Sequence, residues 1–227
     1  MKATRECHQC LAQLVRQAAE LATDEPGPRA KAIEEGLRLL DREFSLDKTS
    51  IAVATPLHRL VRKVTGNHDP YLRMKEAEVA MAQGLRQDWG DEPVGDLRAC
   101  LVLAVRGNNI DFFKDIDAIR NDLPMPVRFA TDDIALFGKR LETTESMLYL
   151  ADNAGEVIFD LPLVKRLGDS AAVTFVVKES PVQNDITLAD LRRFGLANEL
   201  TRVITTGTDT PGVDMDMASE EFRSEFE

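Results

Sequence analysis

The chain has 227 residues, 39 acidic against 28 basic, and its formal net charge of −11 argues against a nonspecific grip on nucleic acid or an anionic membrane surface, which needs clustered Lys and Arg. A hydrophobic fraction of 44% is enough to bury a core, yet no apolar run reaches the roughly 18–20 residues that span a bilayer. Three cysteines cannot pair completely, and the first ten residues lack the apolar stretch of a signal peptide; a disulfide scaffold is disfavoured and a reducing cytoplasm expected.

In chain order, the first half reads as helical. Cys7, Cys10, Leu11, Leu14, Val15, Ala18 and Leu21 recur at three- and four-residue spacing, which places them on one helix face. A polar break at residues 24–28 precedes a second such period at Ile33, Leu37 and Leu40. Further helices are predicted over residues 56–64, stopping at Thr65, Gly66 and Asn67, over 75–87, and over 94–105. His58 keeps company with Arg59, Arg62 and Lys63 and is expected on a solvated face. A structural zinc site wants four ligands, and only Cys100, His8, His58 and His68 remain beside Cys7 and Cys10, so helix packing is the favoured reading of that pair; partial metal binding with His8 stays open. Trp89 and two tyrosines are too few for a base-stacking surface. Residues 1–125 thus read as an N-terminal helical region.

From Met147 the period changes. Residues 147–151 form a short apolar run bounded by Asp152 and Asn153, as a buried strand ending in a turn would. A helix is predicted over 156–167, with Pro162 inside it as a caution. Residues 172–177, β-branched and apolar, are the clearest strand. Thr187 followed by Asp190 resembles a capping box opening a helix over 187–194, and 202–206 reads as a third strand ending at Gly207. The acidic tail, 214–227, is expected to be frayed or solvated. Alternating strands and helices predict parallel pairing with right-handed crossovers. The expected fold is therefore α/β: an N-terminal helical cluster followed, over 126–227, by a three-layer α/β/α region with a largely parallel sheet.

In such a sheet, ligands bind beyond the carboxyl ends of the strands. That rule selects the loops at 152–156, 178–185 and 207–212, each of which brings an Asp to one edge, two of them with an adjacent Asn. Carboxylate and amide oxygens without sulfur or imidazole suit a hard divalent cation. Gly155 at a helix start lets the backbone approach an anion. Metal and anion together suggest a phosphorylated substrate. The same residue types are ordinary in turns and N-caps, so the loops alone leave a structural role open.

The segment Ala-Asp-Asn-Ala-Gly-Glu at 151–156, followed by Phe159 and Asp160, resembles the signature of the DUF89 family, the metal-dependent damage-control phosphatases. Residues 177–190 look like its second motif, 107–111 (Gly-Asn-Asn-Ile-Asp) like a third, and 69–75 (Asp-Pro-Tyr-Leu-Arg-Met-Lys) like a fourth; Cys7 and Cys10 match the shorter prokaryotic members. The likeness covers essentially the whole chain. It implies a helical part packed on an α/β sheet, and hydrolysis of small phosphorylated metabolites, sugar phosphates above all, with Mg²⁺, Mn²⁺, Co²⁺ or Ni²⁺. By position it implies that Asp152, Asn153 and Asp185 form the catalytic metal site. Gly155, Glu156, Lys178, Asn108 and Asp111 would bind substrate or shape its pocket. A lysine at a strand end is equally explained as a solvated side chain, and Asn108 and Asp111 as local caps; the attacking nucleophile, water or aspartate, stays open.

Two features depart from the family pattern. Glu179 stands beside Lys178 where relatives usually have Gly, and its carboxylate opposes phosphate unless turned away. Relatives also continue beyond the Thr-Gly-Thr-Asp loop into a Lys-Gly-x-x-Asn motif that this sequence does not contain. A shortened homologue that binds metal or phosphate without turnover is therefore one alternative. A carboxyl methyltransferase using an adenosyl cofactor is another, although the first strand is not followed by a glycine-rich loop of the dinucleotide type.

Overall fold

In the computed structural model, residues 2–88, 96–108 and 126–227 are described. Helices α1 (Arg5–Ala22), α2 (Pro26–Glu43) and α3 (Ser50–Thr65) pack on one another around Leu11, Val15, Leu40, Val53 and Leu57. A second cluster joins Ala18, Ala32 and Val61 to Tyr71 and Met74. Helix α3 starts earlier than the apolar pattern indicates, because Thr49 caps it by accepting from the Ala52 N–H at 3.1 Å, and Pro56 lies inside it. It ends at Gly66, whose φ of 70° is the left-handed conformation that glycine adopts without steric cost.

Two expectations about this half are corrected. Cys7 and Cys10 are not core residues: Cys10 is exposed, and Cys7, half-buried, uses its sulfur to accept the Thr4 N–H at 3.3 Å in a capping box at the start of α1. The buried stripe of α1 begins one residue later, at Leu11. His58 is only 4% exposed. It shares the inner face of α3 with Ala54, Leu57 and Val61 and meets the edge of Tyr71, while Arg59 and Arg62 reach Asp209.

Helices α4 (Leu72–Asp88) and α5 (Leu97–Gly107) follow, then α6 (Ile134–Leu141), a short helix that the apolar pattern did not reveal. Trp89 and Asp111 lie outside the described residues. Next come β1 (Ser146–Leu150), α7 (Val157–Gly168), β2 (Ala172–Val177), α8 (Leu188–Arg193), a 3₁₀ turn at Ala197–Glu199, β3 (Val203–Thr205) and α9 (Glu220–Phe226). The strands pair in parallel in the order β1-β2-β3, with Met147 opposite Val173 and Val176 opposite Ile204.

Strand alternation gives the sheet two faces. On one, Phe175 and Val177 pack with Val157, Phe159, Leu161 and Val164 of α7, and Tyr149 stacks on Phe175 with ring centroids 5.5 Å apart. Helix α5 covers α7 in turn. On the other face, Leu148, Val176 and Ile204 lie under Ala218 and Phe222. The chain's end is thus not frayed: Ser219 caps α9, Phe222 is 0% exposed, and Arg202 pairs with Glu225 at 2.6 Å. Glu220, Glu221 and Glu225 are exposed on a helix whose Phe222 packs on the sheet. Among the described residues, no helix is long and apolar enough to cross a membrane.

Candidate active site

The loops after β1 and β2 are joined by their backbones. The Ile186 N–H donates to the Asp152 carbonyl at 2.8 Å, and the Ala154 N–H to the Asn184 carbonyl at 2.9 Å. Between these bonds Asn153 and Asp185 form an antiparallel bridge. Asp152, Asn153 and Asp185, 32 or 33 residues apart in sequence, are therefore neighbours by virtue of the chain path itself. Lys178, at the end of β2, bridges to Thr187 in the same loop.

Several carboxylates gather near this bridge, and Lys178 stands among them. Lys178 and Asp185 are both buried; Nζ lies 3.4 Å from Asp185 Oδ2 and donates to the Gly212 carbonyl at 2.6 Å. Burial pushes the Asp185 carboxyl up to about 6, opposed by Lys178 and reinforced by the charge of Asp152. Burial and then Asp152 likewise raise Glu156 to about 7, although the Asn108 amide donates to its Oε1 at 3.1 Å. Glu156 Oε2 is buried with no hydrogen-bond partner among the described residues. Asp160 rises to about 7 through burial and the neighbouring Glu156, and Tyr149, which bonds to Asp160, is raised well above an ordinary phenol chiefly by its own burial. Asn108, Tyr149, Glu156 and Asp160 line an open cleft of about 390 Å³ together with Ala104 and Val105. A larger cleft, about 930 Å³, lies where the strands begin, and its Arg202 and Lys165 are already paired with Glu225 and Glu199. The strand C-terminal end, with its converging carboxylates, is the better candidate.

Other expected residues have different places. Asp209, the acid of the third loop, belongs to α3: Arg59 Nη2 approaches its Oδ1 at 2.5 Å and Arg62 its Oδ2. Burial raises its carboxyl, and the hydrogen bonds from Arg59 and Arg62 more than offset this, leaving it below the ordinary carboxylate range. Among the described residues, only two of the three acidic loops therefore bring their carboxylates to the Asn153–Asp185 bridge, while the third reaches Lys178 through the Gly212 carbonyl. Glu179 is exposed and turned toward Thr205, whose hydroxyl donates to it at 2.5 Å. At Gly155 a Cβ would lie 2.9 Å from Cβ of Glu78 and 3.2 Å from its carbonyl carbon and oxygen, so the absence of a side chain there is required by α4.

Helix α4 supplies residues that motif reading left without a role. Lys75, 0% exposed, joins Asp69 at 2.6 Å and Asp190 at 2.7 Å. Asp190 in turn completes the capping box of α8, accepting from the Thr187 N–H and hydroxyl. One turn on, Glu78 accepts from Asn184 Nδ2 through both carboxylate oxygens, at 3.0 and 3.2 Å. The Asp69–Lys75 spacing was a signal for the first group; Glu78 had none, because its partner is 106 residues away.

Among the described residues, no three His, Cys, Asp or Glu side chains form a metal-holding group. The expected set is instead two carboxylates and an amide, an all-oxygen donor set of the kind hard divalent cations prefer. Burial first, and then neighbouring carboxylates that include Asp152, raise Asp185, Glu156 and Asp160, and a cation is the species that relieves such crowding. The residues present fit the ion.

Residues 3–227 match the damage-control phosphatase ARMT1-like domain. The chain is 30% identical over its whole length to the damage-control phosphatase PH1575 of Pyrococcus horikoshii, covering 80% of that protein. It is 25% identical to a damage-control phosphatase of Archaeoglobus fulgidus, covering 82% of it. The crystal structure of the Pyrococcus horikoshii protein, a DUF89 family member, superposes with a TM-score of 0.88 at 29% identity, covering all of this chain and 81% of that one.

Proposed function

Because this chain belongs to the damage-control phosphatase ARMT1-like family, we propose that it is a divalent-metal-dependent, cytoplasmic phosphatase of small phosphorylated metabolites, sugar phosphates foremost. The observation that carries this reading is the backbone bridge between Asn153 and Asp185, which gathers two acids and an amide at the strand ends beside the buried Lys178. Asp152, Asn153 and Asp185 would hold the cation. When bound, such an ion polarises phosphoryl oxygens and lowers the pKa of a coordinated water.

The remaining work falls to the chain's own residues. Lys178 exchanges its contacts with Asp185 and the Gly212 carbonyl for a phosphate oxygen, supplying a charge in a site where water does not screen it. Glu156, held by Asn108 and raised to about 7, is poised near neutral pH to accept from a substrate hydroxyl or to give up a proton at Oε2. Asp160 and Tyr149 line the same cleft and extend its hydrogen-bonding wall. The test is phosphate release from a panel of sugar phosphates with each of Mg²⁺, Mn²⁺, Co²⁺ and Ni²⁺. Release that chelator abolishes supports the reading; release unaffected by chelator, or none from folded protein with any metal, rejects it.

A further inference from the structure

We infer that Glu78 of α4 is a positioning residue that fixes the two metal-bearing loops relative to each other, an inference that rests on the reading of Asp152, Asn153 and Asp185 as a metal site. Glu78 meets both loops, one through its backbone and Cβ and the other through its carboxylate. Its main chain and Cβ lie against Gly155, in the turn that follows Asp152 and Asn153, close enough that any side chain at 155 would collide. Its carboxylate grips the side chain of Asn184, the residue before Asp185, through both oxygens. Asn184 is also the residue whose carbonyl accepts from Ala154. A single helical position therefore touches each side of the Asn153–Asp185 bridge.

Its surroundings make the grip rigid. Glu78 is 2% exposed, so its hydrogen bonds do not compete with water. Lys75, one turn earlier, anchors Asp190 and with it Thr187, on the far side of Asp185. The segment carrying Asp185 is thus held by α4 at both ends, at Asn184 and through Thr187. Such outside restraint matters because Gln183, two residues before Asp185, has a φ of 46°, a left-handed conformation that a non-glycine residue keeps only when its neighbours impose it. Partners that orient metal ligands from outside typically change metal affinity or activity by about ten- to a hundredfold when removed.

The experiment is Mn²⁺ binding by titration calorimetry on the full chain, with thermal melting of each apo protein beside it. Glu78→Ala is expected to weaken Mn²⁺ by about tenfold or more, and Asn184→Ala by a similar factor. The double variant should be no weaker than either single one, because both remove the same contact. Glu78→Gln, which keeps one acceptor oxygen, should recover most of the affinity. A merely structural Glu78 would lower the apo melting temperature while leaving the Mn²⁺ affinity unchanged, and that result overturns the inference. Should Glu78→Ala not fold, the half-buried Asn184→Ala decides alone. Asp152→Ala separates the two levels: Mn²⁺ binding lost there but unaltered in Glu78→Ala and Asn184→Ala sinks the positioning role alone, whereas wild-type protein that binds no Mn²⁺ sinks the metal site and the positioning role together.

Discussion

Lowering the pH toward 4.5 should remove the stabilising contribution of His58, an imidazole buried on the inner face of α3. Burial first, and then the Arg62 guanidinium, hold the folded imidazole down at about 4 against 6.5 for a free one. Above pH 6.5 both folded and unfolded chains carry it neutral, and its contribution to stability is fully present. Below 6.5 the unfolded chain takes a proton that the folded chain refuses, so stability falls by about 1.4 kcal/mol per pH unit until the folded imidazole also titrates near 4. The total loss approaches about 3.4 kcal/mol, and about 2.5 kcal/mol of it is complete by pH 4.5. Asp185, Glu156 and Asp160 act in the opposite sense. Their folded carboxyls are raised to between about 6 and 7, so the folded chain binds protons first and gains stability as pH falls. The assay is therefore a difference: urea unfolding of the wild type and of His58→Leu at pH 7 and 4.5, in chelator. The wild type should lose about 2.5 kcal/mol more than the variant between the two pH values. Parallel losses would refute the assignment of a buried, neutral His58.

Three further perturbations read other contacts. Lys75→Met should cost about 3–5 kcal/mol in urea unfolding, because it strands Asp69 and Asp190 without their shared cation in a site closed to water. Gly155→Ala should cost about 1–3 kcal/mol and depress phosphate release, since the new methyl meets Glu78 backbone that cannot swing aside; an unchanged midpoint and unchanged activity would contradict that contact. Phe222→Ala should cost about 3–5 kcal/mol by removing the fully buried ring that closes the sheet, a loss that a solvated tail would not show.

The strands and their parallel pairing were legible because β-branched runs such as residues 172–177 have no good helical alternative, and because Thr187 with Asp190 forms a capping box that short-range chemistry specifies. The same holds for the Gly66 stop of α3. What escaped the sequence depends on partners distant along the chain. His58 and Arg59 are adjacent, yet one is buried against Tyr71 and the other pairs with Asp209, 150 residues on; composition cannot tell which side of α3 faces inward. Cys10 fits the apolar period of α1 but lies beyond the reach of its packing partners. At the site, rule and motif located the loops of Asp152 and Asp185, whereas the diversion of Asp209 to α3 and the grip of Glu78 on Asn184 are tertiary facts with no local mark.

The most direct test of the proposed phosphatase replaces Asp152 by Asn, which keeps the shape of the side chain and removes its charge. Wild type and Asp152→Asn would be compared for phosphate release from the best sugar phosphate of the panel, in Mn²⁺ and in chelator, after both are shown to melt alike. The account predicts Mn²⁺-dependent release by the wild type, and release by the variant no greater than that of the wild type in chelator. Full Mn²⁺-dependent activity in Asp152→Asn would contradict it.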